Sequence, residues 1–155
     1  MPQFSASRRV SVPADVAFAV ASDVAKYHEF LPLLEGSTVL EPVIKVDGNS
    51  SFKAELAVGY AKLNIREKFI SQVTCKPQER TVTAVSQDAP FKNMTTIWRV
   101  REVGGVSDIS IQIDYSMRSM MMQLVLAGVM ELAVNKVVAA FEARALAMAR
   151  NEASI

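Results

Sequence analysis

One cysteine, one histidine and one tryptophan are all that the 155 residues contain, and each scarcity removes a class of function. A single cysteine, Cys75, allows no disulfide within the chain, which fits a reducing compartment. With His28 the only histidine, a catalytic thiol has one basic ring to turn to and a zinc site has too few ligands. No nucleophile elbow, phosphate loop or metal-ligand spacing occurs anywhere. An excess of either charge is missing too. Seventeen Lys and Arg against sixteen Asp and Glu give a net charge of +1, which argues against a nucleic acid, and DNA above all, as the main partner. The opening sixteen residues show no charged lead followed by an apolar run, so no secretory signal is expected.

The longest uncharged apolar stretch lies between Arg118 and Glu131 and is only twelve residues long. A membrane span needs about 20. The stretch "SMMMQLVLAGVM" must therefore be covered by something else, because a helix apolar nearly all round should be buried on more than one side. Its three consecutive methionines supply flexible, polarizable surface of the kind that adapts to variable ligands. Half the chain is hydrophobic, enough at this length to build one domain over residues 1–155.

Periodicity sorts that hydrophobicity into elements. Residues 3–12 alternate loosely and read as a strand. "VPADVAFAVASDVAKYHEFLP" then switches to helical spacing through Val16, Val20 and Val24, with Pro13 suited to a first turn, Asp23 to capping a second short helix and Pro32 to ending the pair. From Gly36 to Met117 the period is two, punctuated by "VDGN", "KPQE", "DAPF" and "VGG". About six strands result, near 36–46, 50–60, 62–73, 79–87, 93–103 and 107–117, with short links that favour antiparallel pairing. Ile109, Ile111, Ile113, Tyr115 and Met117 share one face of the last. From Ser119 to Arg150 a single helix about 48 Å long is expected, carrying Met130, Val134, Val137, Phe141, Ala145 and Met148 as its apolar stripe. The fold class is α+β: a curved antiparallel sheet of about seven strands that must cover its apolar face, with the terminal helix as the cover.

Four segments in this order, "DVAKYHEFLPLLEGSTV" (23–39), "FKAELAVGYAKLNIREKFISQV" (52–73), "PFKNMTTIWRV" (90–100) and "VVAAFEARA" (137–145), resemble the coenzyme Q-binding, START-like family of the polyketide cyclase/lipid transfer superfamily, which also includes a ribosome-association toxin. The resemblance implies a helix-grip fold, with the sheet wrapped around the long C-terminal helix over an apolar cavity. It also implies that ubiquinone or a similar isoprenoid quinone is the bound ligand, that no catalytic cofactor is needed, and that the protein supports respiration and quinone synthesis. The lack of a transit peptide at the start of the chain points to a bacterial member acting in the cytoplasm, at the inner face of the plasma membrane where a carrier exchanges its cargo.

The ligand-binding candidates follow from the inward faces and the resemblance together: Leu31 and Pro32 at the family's cavity mouth, Phe52, Leu56, Glu67, Phe69, Trp98, Ile111 and Tyr115 on the strands, and Met121, Leu124, Met130 and Val134 on the helix. Glu67 falls on the face shared by Leu63, Ile65, Phe69, Ser71 and Val73, where a carboxylate needs a partner; it orients a ligand oxygen, pairs with an inward arginine such as Arg8, or is turned outward by a bulge. Trp98 either stacks on a ring or is plain core. Lys53, Lys62, Arg66, Lys68, Arg99 and Arg101 fall on outward faces, either as a solvated sheet face defended by charge or as a basic surface for anionic lipid or ribosomal RNA. The resemblance also implies two further functions beside the carrier: a toxin that binds the large ribosomal subunit and blocks subunit association, and a cyclase-type enzyme.

Overall fold

The computed structural model describes residues 3–153. Seven strands form one antiparallel sheet in the order β1-β7-β6-β5-β4-β3-β2, where β1 is Gln3–Val10, β2 Leu34–Val46, β3 Asn49–Tyr60, β4 Ile65–Lys76, β5 Thr81–Ser86, β6 Phe91–Val103 and β7 Val106–Met117. The first strand is thus laid beside the last, and only the β1–β7 pairing joins segments distant in sequence. Helix α1 (Ala14–Ser22) and a 3-10 turn over Val24–Glu29 bridge β1 to β2, the far edge of the sheet.

Hairpin geometry follows from the turn residues. The β2–β3 and β6–β7 loops hold two residues each, Asp47-Gly48 and Gly104-Gly105, all at positive φ. That is the backbone a two-residue hairpin loop of the type I′ kind requires, and glycine adopts it without strain. Between β3 and β4 the expected strand start at residue 62 gives way to a 3-10 turn over Ala61–Leu63, closed by Asn64 at φ 54. Asparagine tolerates this left-handed conformation, so the strand starts late.

The terminal helix is two helices. α2 (Met120–Ala127) and α3 (Met130–Ala153) meet at a bend of about 61°. Ser119 caps α2 as its sequence position leads one to expect, its hydroxyl accepting from the Met122 N–H at 3.2 Å. At the other end Gly128 and Val129 donate back three residues, to Val125 O and Leu126 O, so the last turn tightens and the helix axis changes. The single helix over 119–150 is corrected accordingly. Glycine at 128 is the local cause, and the open space beneath α2 removes the packing that would hold one axis straight.

The core sits between the sheet and α3. Val134, Val138, Phe141 and Ala145 are buried on the helix, so the buried line includes Val138, and Met148 lies at its exposed edge. Phe141 stacks on Trp98 with ring centroids 4.4 Å apart. Val10, Val12, Ala17, Val20, Ala21 and Val24 complete this well-packed end. Among the described residues no single helix is long and apolar enough to cross a membrane; α2 and α3 pass such a test only together, across their bend.

Candidate functional site

β4 shows how the site is positioned. Its inward residues run Ile65, Glu67, Phe69, Ser71, Val73 and Cys75, and burial deepens along them: the first two are half-buried and the last four buried. The sheet's far end is sealed by α3, while the near end opens into a cavity of about 250 Å³. Four segments ring it. They are the loop of Leu31, Pro32, Leu33 and Leu34, the β3–β4 turn (Tyr60, Leu63, Ile65), the β5–β6 turn (Pro90, Phe91), and the run Met122, Leu126, Val129 and Met130 from α2 into α3. Ile111, Ile113, Met117 and Val58 form the sheet side, and Ala133, Val134 and Val137 the helix side. Glu67 is the only charged residue in the lining, and Tyr60 the only other with a polar side-chain oxygen.

Specific contacts hold the ring in place. Gly59 N–H donates to Leu33 O at 2.8 Å and ties the first loop to β3. Arg118 donates to Phe91 O at 2.9 Å and Gln87 O at 2.6 Å, joining the start of α2 to the β5–β6 turn. Met117 N–H donates to Gln123 Oε1 at 2.7 Å, which fixes α2 against the end of β7. Only one side of α2 faces the cavity. Met120, Met121 and Leu124 on the other side are 80 %, 75 % and 72 % exposed.

The structure brings Leu31, Pro32, Glu67, Phe69, Ile111, Met130 and Val134 together on this lining. Leu56 and Trp98 line a smaller hollow of about 110 Å³ beyond Phe69. Phe52 and Tyr115 are buried core outside both. Met121 and Leu124 were expected in the cavity wall and instead point to solvent. Helical phase is the reason: once Ser119 caps α2, positions 122, 126, 129 and 130 share the inward face and 121 and 124 the outward one. A wheel started at the cap finds Met122 and Leu126. Phe91 was hidden because "DAPF" reads only as a turn.

Glu67 has no hydrogen bond or ion pair among the described residues, and Arg8 bonds Glu142 at 3.1 Å instead. The ion-pair reading of Glu67 is thereby corrected; β1 is at the far edge of the sheet from β4, too distant for Arg8 to reach. His28 is on the surface, its N–H and Nδ1 both on Ser37 Oγ, which donates to Ala25 O at 3.0 Å. Burial pushes the Cys75 thiol up to about 11, which makes it a poor nucleophile at neutral pH. Tyr115, stacked on Phe4, is raised by the same desolvation. The outer basic surface is partly neutralised: Arg66 pairs with Glu35, and Arg9 and Arg101 share Asp108, whose carboxyl the Arg9 hydrogen bond holds below its usual range. Lys53, Lys62, Lys68 and Arg99 have no ion pair among the described residues. A larger depression of about 630 Å³ on the outer face is lined by Lys53, Gln72, Gln87 and Asn93, so apolar chemistry rather than volume distinguishes the inner site.

Residues 10–142 match the family described as polyketide cyclase / dehydrase and lipid transport. The coenzyme Q-binding protein COQ10 of Drosophila melanogaster is 33% identical over 92 residues, which is 59% of this chain and 34% of that protein. The chain thus spans about a third of that relative's length. The ribosome association toxin RatA of Vibrio cholerae is 27% identical over 94% of this chain and 96% of its own. Among solved structures, an 18 kDa protein of Caulobacter crescentus superposes with a TM-score of 0.77 at 28% identity, covering 94% of this chain and 96% of that one.

Proposed function

Because the chain belongs to the polyketide cyclase / dehydrase and lipid transport family, we propose that it is a non-enzymatic binding protein for an isoprenoid quinone such as ubiquinone, serving respiration and quinone synthesis. One observation carries this reading: a hydrocarbon-walled cavity with a single carboxylate, covered by a helix that is apolar on both sides. Burial of each methylene contributes about 0.8 kcal/mol, so a prenyl chain gains affinity there without directional contacts. Glu67 alone supplies no acid–base pair of the kind cyclisation needs, since His28 is engaged at the surface.

Size adds a constraint. At about 250 Å³ the cavity lies below the ~300–1,000 Å³ of pockets that enclose drug-sized ligands. It encloses only part of a long-tailed quinone, and the rest of the tail leaves through the mouth. Outside the mouth stand Met120, Met121 and Leu124, flanked by the exposed Lys62 and Lys92. This combination suits the surface of an anionic bilayer, where lysines meet headgroups and the apolar side chains enter the acyl boundary. The protein then works in the bacterial cytoplasm at the inner face of the plasma membrane, drawing the ring out while the tail end stays in lipid.

The test is extraction from vesicles. Protein is mixed with vesicles carrying a benzoquinone with a ten-carbon tail, the vesicles are pelleted, and the quinone left in solution is measured by its near-ultraviolet absorbance. About one quinone per protein is expected, and more rapid transfer from anionic than from neutral lipid. Quinone no higher than in protein-free controls would refute the reading.

A ribosome-directed function is the second reading, favoured by the RatA match over almost the full length of both chains and by the unpaired Lys53, Lys68 and Arg99 on the outer sheet face. It requires cosedimentation with ribosomal subunits that weakens steeply with salt.

A further inference from the structure

The cavity does not end at Phe69. The 110 Å³ hollow beyond it shares Phe69, Phe91 and Ile113 with the outer chamber, so these three side chains form a partition. Phe69 and Phe91 meet edge to face with centroids 4.9 Å apart. Behind the partition the walls are mostly hydrocarbon, and of the hydroxyls there the Tyr27 one donates to Ala21 O, while one other is left unused by the fold. Ser71 is completely buried, lines the hollow, and its Oγ has no hydrogen-bond partner among the described residues. The neighbouring Thr96 hydroxyl is already directed at the Met94 sulfur at 3.1 Å. A buried hydroxyl without a partner is unfavourable, and alanine would fill the same place on β4 without that penalty.

We propose that this hollow is the terminal subsite of the quinone cavity, in which the Ser71 hydroxyl donates a hydrogen bond to a ring oxygen. The inference rests on the quinone-carrier reading and adds the orientation: ring first, past the Phe69–Phe91 pair, with the tail trailing to the mouth. Glu67 and Ser71 share the inward face of β4, about 13 Å apart at roughly 3.3 Å per residue. The Glu67 carboxyl lies nearer the mouth, and Ser71, on the inner side of the partition, carries a hydroxyl able to donate to a ring oxygen.

Trp98, the only tryptophan, lines the same hollow and reports on it. A quinone ring in contact with an indole quenches its emission by electron transfer. The experiment follows binding of the ten-carbon-tail benzoquinone by native mass spectrometry and by Trp98 fluorescence, in the natural protein and in Ser71→Ala, with a ring-free alkyl amphiphile as control. Quenching should saturate together with binding. Ser71→Ala should bind the quinone about five- to ten-fold more weakly, bind the amphiphile unchanged, and melt no lower than the natural protein, since it loses only an unpartnered hydroxyl. Quinone binding that leaves Trp98 emission unchanged, or that Ser71→Ala does not weaken, overturns the subsite and leaves the carrier standing. No quinone bound at all overturns both.

Discussion

At one end of the grip Phe141 stacks on Trp98 and the hollow beside them measures only about 110 Å³; at the other, Met122, Leu126 and Met130 surround about 250 Å³ of unfilled space. Both ends use the same sheet and the same line of helices, and both are hydrocarbon. They differ in what stands opposite. Near Trp98 the short helix α1 closes the layer with alanine and valine, whereas near Met122 the cover is a separate helix set at about 61°. Stability is therefore expected to reside mainly in the first region, and ligand entry and tail binding in the second.

The sharpest way to break that division is to cut into the packed end. Phe141→Ala should lower unfolding free energy by about 3–5 kcal/mol in urea denaturation, as removal of a fully enclosed aromatic side chain does. A loss under about 1 kcal/mol would mean that this end is not the anchor. Filling the hollow end should act on the other property. Ala133→Phe, on the helix side of the cavity, should reduce quinone uptake at least ten-fold while leaving the protein as stable or slightly more so, because the added ring enters space that no side chain holds. Unaltered uptake would place the ligand elsewhere.

Two smaller effects sharpen the contrast. Met122→Ala should cost less than about 1 kcal/mol, against about 2–5 for a methionine enclosed on all sides, since its contacts are already incomplete. A larger loss in thermal denaturation would show that α2 is held by this side chain. Leu124→Asp should change stability by no more than about 0.5 kcal/mol, as surface substitutions do, and yet weaken flotation with anionic vesicles by losing an apolar contact and adding a repelling charge. Unchanged flotation would remove α2 from the membrane contact.

The sequence discloses the two ends unequally. Strict alternation through Ile109, Ile111, Ile113, Tyr115 and Met117 makes the inward face of β7 legible, because a two-residue period leaves one face only. The hairpins are equally legible from Asp47-Gly48 and Gly104-Gly105. Over 119–130 nearly every residue is apolar, so periodicity carries no phase, and the inward side of α2 can be read only from the Ser119 cap. The bend after it is foreshadowed by Gly128 alone, since one glycine inside a helix usually continues it. Trp98 shows the same limit: its letter does not distinguish a ring that stacks on a ligand from one that stacks on Phe141, forty-three positions away. Contacts across such separations are decided by the register of the sheet, which local pattern does not contain.

The most direct test is native mass spectrometry of the protein purified gently from a quinone-replete bacterial host, beside Ala133→Phe made the same way. The account predicts an added mass on the natural protein, released by organic solvent, equal to one isoprenoid quinone, and absent from the variant. Bare chain in both samples, or an adduct that survives in Ala133→Phe, would contradict it.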